Sequence, residues 1–340
     1  MNLHLHPFDL QLRHTFTITH ESRKVQPSLI VELEMDGLSG FGEAAATAYY
    51  NVTMEGMTRD LEALRPFLAA AEWNAPADLY DQVAPKLAHS PAALCALDMA
   101  ANDLWGRIQG KPLYQLWNLD PADAPLTNYT IGRASMEEMV AKMEELPWPI
   151  YKIKLGTDQD LEIIRTLRRH TDAIFRVDAN TAWTPEQAVE MSFLLKDLGV
   201  EFIEQPLKPG NWEGQAHVFA HSALPVMADE SCHVPSDVAK CAGYFHGVNV
   251  KLVKCGGPTP ALRMLHEAKS LGLKTMIGCM TESSVGISAI AQLSPLLDYV
   301  DMDGALLLAD DPAEGVRFEF GKAIFPEGAG TGARLRFVPG

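Results

Sequence analysis

Apolar and polar residues alternate or recur along the chain in two different patterns, one before and one after about residue 120. Residues 28–36, SLIVELEMD, alternate as a half-buried strand does, and the glycine-rich residues 37–44, GLSGFGEA, predict a turn after it. From about Met54 to Trp117 the pattern becomes helical, and Gly110 is typical of a helix end. Strands followed by helices predict a separate α+β domain.

Short strand-like runs recur after Pro125 at intervals of 21 to 27 residues, with helical segments such as DLEIIRTLRRH between most of them. The eight runs are LTNYTIG (126–132), YKIKLG (151–156), FRVDAN (175–180), EFIEQP (201–206), VMADES (226–231), GVNVKL (247–252), KTMIGC (274–279) and YVDMDG (299–304). Eight strands with helical crossovers predict a closed parallel α/β barrel. An open doubly wound sheet fits less well, because it rarely keeps so even a period.

Three acids stand at the ends of three consecutive runs: Asp178 in RVDAN, Glu204 in FIEQP and Asp229 in MADES. Because strand ends meet at one face of a barrel, these carboxylates should converge above it. Clustered carboxylates repel one another unless a cation lies between them, and an all-oxygen site favours Mg²⁺ over Zn²⁺. The alternative is that each acid caps a helix or pairs with a loop cation.

Lysines flank the three acids on both sides. Lys152 and Lys154 share one face of the second run, and Lys251 ends the sixth run, roughly opposite in an eight-stranded ring. Lys254 lies beyond that strand end and is interpreted as structural. A metal between two opposed lysines suits the removal of a proton α to a carboxylate, with one lysine on each face of the carbon. Nearby positive charge should lower the pKa of a lysine that acts as base.

Composition restricts the class of partner. The formal net charge of −16 disfavours binding to nucleic acid or to an anionic membrane surface. The N-terminal residues lack a signal-peptide core, and the five cysteines form no CxxC pair, which favours reduced thiols and a cytoplasmic location. A glycine-rich GAGTG at 328–332 lacks the strand and helix of a dinucleotide site.

The motifs GFGEA (40–44), ALDMAANDLWGRIQGKPLY (96–114), KIK (152–154), VDAN (177–180), EQP (204–206), ADES (228–231) and KLVKCGG (251–257) occur in a specific order. In this respect the chain resembles the muconate-lactonizing-enzyme subgroup of the enolase superfamily over nearly its whole length. The resemblance implies a (β/α)7β TIM-like barrel over residues 121–311. It also implies an α+β capping domain over residues 1–120, completed by the tail 312–340.

The resemblance also implies roles for the residues of these motifs. Asp178, Glu204 and Asp229 would bind one Mg²⁺, and Lys154 and Lys251 would be the acid/base pair. Lys152 would contact the substrate carboxylate. By the family pattern, Thr127 on the first barrel strand and Cys279 after the seventh would line the substrate cleft.

The eighth run carries Asp301 and Asp303 on one face of the strand. Dipeptide epimerases of the subgroup have a similar Asp-x-Asp that binds the α-ammonium of the substrate, and a cationic amine does require anionic partners. The chain is therefore expected to be a Mg²⁺-dependent dipeptide epimerase acting on the C-terminal residue, with a lean to L-Ala-D/L-Glu. Homo-oligomerisation is left open.

The segment THESRKVQ (19–26) of the cap is expected to meet the side chain of that residue. Arg23 and Lys24 suit an acidic side chain, whereas Glu21 suits a cationic or neutral one, so the preferred dipeptide stays open. Alternatives on the same site are an o-succinylbenzoate synthase, a muconate cycloisomerase and an N-acyl amino acid racemase. A Schiff-base aldolase and a non-catalytic binding module are further alternatives.

Overall fold

The computed structural model describes residues 1–17 and 22–336. The N-terminal part forms a three-stranded antiparallel sheet in the order β1-β2-β3, with β1 at Asn2–Thr17, β2 at Ser22–Met35 and β3 at Leu38–Ala45. Asp36 and Gly37 connect β2 to β3 with φ angles of 53° and 76°. Two left-handed residues between paired strands are typical of a tight hairpin turn. The strand predicted over 28–36 is confirmed as part of β2.

The prediction of a turn over residues 37–44 is wrong beyond its first residue, because Gly40 and Gly42 lie inside β3. A Cβ atom built at Gly40 would collide with Leu104, and one at Gly42 with the backbone oxygen of Ala96. Both contacts are with the helix α4. These glycines therefore allow the strand β3 to pack directly on the backbone of α4. Glycine occurs at such close contacts as well as in turns, so its presence alone does not predict a turn.

Helices pack on this sheet and make up the rest of the N-terminal part. They are α1 Met54–Glu62, α2 Arg65–Ala70, α3 Pro76–Val83, α4 Pro91–Ile108 and α5 Leu113–Leu116, with short 3₁₀ helices at Ala48–Tyr50 and Pro121–Asp123. The predicted helix end at Gly110 is confirmed, since α4 ends at Ile108 and Gly110 has a φ of 65°. Within the described ranges, no helix combines the length and the apolar character that a membrane span requires.

Eight parallel strands form the second part in sequential order from β4 to β11. They are β4 Tyr129–Ile131, β5 Ile150–Lys154, β6 Ile174–Asp178, β7 Val200–Glu204, β8 Val226–Ala228, β9 Gly247–Val250, β10 Lys274–Gly278 and β11 Tyr299–Asp301. A parallel bridge between Thr127 and Val300 joins the first strand to the last. Each predicted run overlaps one of these strands, so the α/β barrel with a capping domain is confirmed.

Helices connect the barrel strands and cover them. They are α6 Met136–Glu145, α7 Asp160–Arg168, α8 Pro185–Lys196, α9 Trp212–His221, α10 Pro235–Cys241, α11 Leu252–Cys255, α12 Pro258–Ser270 and α13 Ser284–Leu293, with 3₁₀ helices at Ser294–Leu296 and Gly304–Leu307. Local sequence specifies several starts: Ser135 with Glu138, and Thr184 with Gln187, form capping boxes at α6 and α8.

The tail after the barrel returns to the N-terminal part. It forms short strands β12 Ala313–Glu314, β13 Arg317–Glu319, β14 Lys322–Ile324 and β15 Arg334–Leu335. Arg107 of α4 donates a 2.6 Å hydrogen bond to the carbonyl of Ala333, and Thr331 N donates to Asp103 Oδ1 at 2.6 Å. The division into domains at residues 120 and 311 stays a prediction.

Replacing Gly42 by alanine should destabilise the protein, because the added methyl group has no room between β3 and α4. We expect the free energy of unfolding to fall by about 1–3 kcal/mol, measured by urea denaturation. Leu38→Ala on the same strand is the control, since Leu38 is 40% exposed and fills no tight contact. Equal stability of Gly42→Ala and wild type would contradict the packing argument.

Candidate active site

Three buried carboxylates meet at the carboxyl end of the barrel. Asp178 and Glu204 are the last residues of β6 and β7, and Asp229 directly follows β8. The three side chains are at most 1% exposed, and one oxygen of each lies within 4.8 Å of the others. The parallel strands of the barrel therefore bring together residues that are 25 or 26 positions apart, as the sequence predicted.

Lys152 and Lys154 reach this cluster from β5. Lys154 is the register partner of Asp178, and its Nζ lies 2.7 Å from Asp178 Oδ2. Lys152 Nζ lies 2.7 Å from Glu204 Oε2 and 2.9 Å from Asp301 Oδ2. Both lysines thus point into the barrel mouth, as their spacing of two residues on one strand predicted.

Lys251 and Lys254 reach the cluster from the opposite direction. Lys251 caps the start of α11, and its Nζ lies 2.8 Å from Asp229 Oδ2. Lys254 lies one helical turn later and contacts the other oxygen of the same carboxylate, Oδ1, at 2.6 Å. Lys254 lies beyond the end of β9, as predicted, and contacts the carboxylate cluster; its interpretation as structural stays a prediction. A spacing of three residues at a strand-to-helix junction is the signal that could have placed it here.

Burial and charge act against each other throughout this cluster. Burial raises the pKa of Asp229, but the adjacent Lys251 and Lys254 outweigh it and hold that pKa well below its ordinary value. Burial lowers the pKa of Lys251, and Asp229 reverses the effect so that its pKa lies well above the ordinary value. The expected lowering of a lysine pKa therefore requires further positive charge beside these acids.

Burial raises the pKa of Glu204; Lys152 lowers it and Asp178 and Asp229 raise it again, so the pKa stays above its ordinary value. Its Oε2 is buried and lies 2.7 Å from Lys152 Nζ, with which it forms an ion pair. Asn249 donates a 2.8 Å hydrogen bond to the other oxygen, Oε1. Three converging, buried carboxylates fit a divalent metal ion with oxygen ligands.

Gln205 orders the ends of two strands in this cluster. Its side-chain oxygen accepts hydrogen bonds from Asp229 N at 2.9 Å and Ser231 N at 3.1 Å. Gln205 itself has a φ of 36°, and Asn180 after β6 has a φ of 45°. Non-glycine residues in this region carry backbone strain, which proteins retain mainly at functional sites. The motif EQP therefore supplies both a carboxylate and the amide that orients the next one.

Asp301 and Asp303 close the other side of the barrel mouth. Asp301 accepts hydrogen bonds from Asn128 Nδ2 at 2.8 Å and from Lys152 Nζ at 2.9 Å, and these donors hold its pKa below the ordinary value despite burial. Asp303 accepts one from the backbone of Thr130. Burial and the adjacent charge of Asp301 raise the pKa of Asp303 to about 8. A cationic group bound beside the pair would favour its ionised form.

A cleft lies over these groups and between the barrel and the N-terminal part. Barrel residues supply its floor, and the cap supplies residues that lie on loops and strand ends above it. The lining residues from the cap are Phe16, Arg23, Thr47, Tyr49 and Tyr50. The predicted residues Lys154, Asp229, Lys251, Cys279, Asp301 and Asp303 also line this cleft.

Cys279 lines the cleft. Its backbone N donates a 2.8 Å hydrogen bond to the carbonyl oxygen of Asp301. Its Sγ lies 3.9 Å from Asp303 Oδ1. Burial and the charges of Asp301 and Asp303 raise the pKa of the thiol well above its ordinary value. Cys279 thus lines the cleft, as predicted, and a neutral thiol beside two carboxyl groups is a poor nucleophile.

Two predicted lining residues lie elsewhere. Thr127 is fully buried before β4, where its Oγ1 accepts a hydrogen bond from Met302 N at 3.0 Å, and Thr130 lines the cleft instead. The displacement has a simple cause, since three residues along a strand correspond to about 10 Å. Lys24 is exposed in a groove beside α6, because neighbours on a strand point to opposite faces and Arg23 takes the inner one. Glu21 lies outside the described residues.

The comparisons with known proteins agree with this geometry. Residues 6–117 match the family model of the mandelate racemase/muconate lactonizing enzyme N-terminal domain, and residues 133–337 match the model described as enolase C-terminal domain-like. The chain belongs to the mandelate racemase/muconate lactonizing enzyme family. The resemblance inferred from the motifs is thus confirmed.

Relatives within this family have stated activities. The chain is 58% identical to the L-Ala-D/L-amino acid epimerase of Flavobacterium johnsoniae, over 98% of this chain and 100% of the relative. It is 39% identical to the L-Ala-D/L-Glu epimerase of Bacteroides thetaiotaomicron, over 98% and 87%. The crystal structure of a dipeptide epimerase from Enterococcus faecalis V583, complexed with Mg and L-Leu-L-Tyr, has a TM-score of 0.89, 32% identity and 98% coverage of each chain.

The raised pKa of Asp303 gives a testable dependence of stability on pH. Between the unfolded carboxyl pKa of about 4 and the folded value of about 8, the folded state holds a proton that the unfolded state has lost. As the pH rises over this interval, Asp303 therefore lowers the free energy of unfolding of wild type by about 1.4 kcal/mol per pH unit. Asp303→Asn lacks this contribution. We expect the Tm of the variant minus that of wild type to rise up to about pH 8 and then level off.

Asp310→Asn is the matched control, because Asp310 is an exposed carboxylate in a weak surface pair with Arg336. Its Tm should differ from wild type by a nearly constant amount over the same range of pH. A constant difference for Asp303→Asn as well would show that Asp303 is ionised in the folded protein and would refute the argument.

Proposed function

We propose that the protein is a Mg²⁺-dependent dipeptide epimerase that inverts the α-carbon of the C-terminal residue by proton transfer between two lysines. The observation that carries the proposal is the placement of Lys154 and Lys251 on opposite sides of three buried carboxylates, with Asp301 and Asp303 at the rim. Membership of the family and the names of the relatives support the same activity.

Asp178, Glu204 and Asp229 would hold the Mg²⁺, consistent with their all-oxygen donor set and their burial. When bound, the ion supplies positive charge that stabilises the negative charge developing on the substrate carboxylate as the α-proton leaves. Lys152, which already pairs with Glu204 and Asp301, adds a fixed ammonium group at the same place. These charges lower the cost of forming a carbanion α to a carboxylate.

Lys154 and Lys251 would exchange roles between the two directions of the reaction. In one direction the neutral Nζ of one lysine takes the α-proton, while the protonated Nζ of the other gives a proton to the opposite face. The carbon is inverted, and each lysine ends with the protonation state that the reverse reaction needs. The structure favours this arrangement because the two amines contact different carboxylates, Asp178 and Asp229.

Asp301 and Asp303 would bind the α-ammonium of the dipeptide. Two carboxyl groups at this rim suit a cation and disfavour o-succinylbenzoate, muconate or N-acyl substrates, which have no such amine. An o-succinylbenzoate synthase, a muconate cycloisomerase and an N-acyl amino acid racemase are therefore the less favoured alternatives. Arg23, on the cap side of the cleft, would accept an acidic C-terminal side chain, which supports the lean to L-Ala-D/L-Glu.

Removing one carboxylate should weaken the binding of Mg²⁺. Glu204→Gln keeps the size of the side chain and its hydrogen bond from Asn249 but loses the charge, so we expect the Kd for Mg²⁺ to rise by about 100-fold or more. Calorimetric titration of the folded protein with MgCl₂ measures this without any substrate. Asp303→Asn, which leaves the three carboxylates intact, should bind Mg²⁺ as wild type does, and an unchanged Kd for Glu204→Gln would refute the metal site.

Exchange of the α-proton with deuterium tests the function directly. Incubated with Mg²⁺ in D₂O, the protein should add one deuterium to the C-terminal residue of L-Ala-L-Glu and of L-Ala-D-Glu, detected by mass spectrometry. Lys154→Ala should slow exchange from one epimer and Lys251→Ala from the other, each by about 10²- to 10⁴-fold. Lys240→Ala is the control, because Lys240 is an exposed lysine on α10 that pairs only with Asp237 among the described residues.

N-acetyl-L-Ala-L-Glu serves as the matched substrate without an α-ammonium. Slower exchange of this compound supports a site for the free amine, whereas equal or faster exchange favours an N-acyl amino acid racemase. If the protein binds Mg²⁺ but exchanges the α-proton of no dipeptide in a library, it is not a dipeptide epimerase. If both lysine variants exchange the α-proton at the wild-type rate, the two-base assignment is excluded, but the epimerase function is not.

A further inference from the structure

Glu43 joins the cap to the barrel beside the cleft, although it does not line the cleft. The residue lies in β3 and is 1% exposed. Its Oε2 accepts hydrogen bonds from Ser283 N at 3.1 Å, Ser283 Oγ at 2.5 Å and Gly286 N at 3.0 Å. Its Oε1 accepts from Ser28 Oγ at 2.6 Å and from Ser283 N at 3.0 Å. A carboxylate of the cap thus binds the N-terminus of α13 of the barrel.

Both walls of the cleft are attached to this contact. On the barrel side, residues 279–281 line the cleft directly before α13, and Met280 N donates to Glu282 Oε1 at 3.1 Å. On the cap side, β3 ends at Ala45, and the following loop supplies Thr47 and Tyr50 to the cleft. Glu43 is therefore four residues from the cap wall along the chain, and Ser283, which it contacts, is two residues from the barrel wall.

We propose that Glu43 is a positioning residue whose carboxylate sets the spacing between residues 47–50 of the cap and residues 279–281 of the barrel. The inference rests on the proposed function, since it concerns how the dipeptide is held between these two walls. Its physical basis is that a buried carboxylate with five hydrogen-bond contacts to two elements leaves them little freedom to separate.

Glutamine at this position replaces the carboxylate only in part, because a serine hydroxyl can turn to accept from its amide whereas a backbone N–H cannot. Both oxygens of Glu43 accept bonds only from N–H and O–H groups of Ser28, Ser283 and Gly286 among the described residues. The amide of glutamine would turn an NH₂ group toward at least one of these donors in either orientation. We expect α13 to shift away from β3 and the segment 279–281 to move with it.

The test measures steady-state epimerisation and amide hydrogen exchange of Glu43→Gln together. Displacement of one wall by up to about 1 Å should lower kcat/KM about 10- to 100-fold. Most of this loss should be a rise in KM, and the Kd for Mg²⁺ should stay unchanged. Deuterium uptake by peptides that contain residues 279–286 and 46–52 should increase. Ser283→Ala, which removes one of the donors, is the second variant if Glu43→Gln does not fold, and a smaller change in the same direction is expected.

Asp103→Asn is the matched control. Asp103 is another fully buried carboxylate that ties two segments, since it accepts hydrogen bonds from Phe41 N at 2.8 Å and Thr331 N at 2.6 Å. It lies outside the cleft, so its variant should lose stability while KM and exchange at residues 279–286 stay at wild-type values.

The outcomes separate the inference from the proposed function. If wild type is active and both Glu43→Gln and Ser283→Ala keep its KM, the positioning role is overturned. It is also overturned if Asp103→Asn changes KM and hydrogen exchange at residues 279–286 as much as Glu43→Gln does. If wild type shows no epimerisation, the proposed function fails, and exchange at residues 279–286 and 46–52 alone decides whether Glu43 holds the two walls.

Discussion

Burial of like charges at the barrel mouth is the constraint on which this site depends. Asp178, Glu204 and Asp229 are removed from water, and carboxylates in such surroundings are stable only with positive partners close by. The strands supply those partners at fixed positions, Lys154 for Asp178 and Lys251 for Asp229. Rigid β-strands are needed for this, because an error of one residue in register would turn a lysine out of the barrel.

The contacts between cap and barrel use the same chemistry in a different place. Glu43 binds the start of α13, and Asp98 of α4 accepts hydrogen bonds from Thr259 N and Oγ1 at the start of α12. Burial raises the pKa of Asp98 to about 7. Buried acids from the cap therefore face the positive ends of barrel helices, where a negative charge is most easily accommodated away from water. The cleft lies between the two parts that these acids hold together.

The sequence predicts the barrel well because its period is long and regular. Acids one strand repeat apart must converge if the strands are parallel, so Asp178, Glu204 and Asp229 follow from spacing alone. Lys254 does not, since it reaches Asp229 only through the helical turn of α11. Gly42 is likewise ambiguous, because the space that excludes a side chain belongs to α4, more than fifty residues away in the sequence. Thr127 and Thr130 lie at different depths in the barrel. The alternation of apolar and polar residues predicts the face on which a side chain lies but not its depth.

Closure of the barrel also bears on how the chain is made. Thr127, just before β4, pairs with Val300 of the last barrel strand, and the tail at Thr331 completes the contacts of Asp103 in α4. A nascent chain emerging from the ribosome thus carries the three clustered acids and both lysine pairs before the first strand can find its last partner. Co-translational folding must leave the outer edge of β4 unpaired until Val300 has been synthesised. Loss of β11 should therefore harm folding as much as loss of an internal strand.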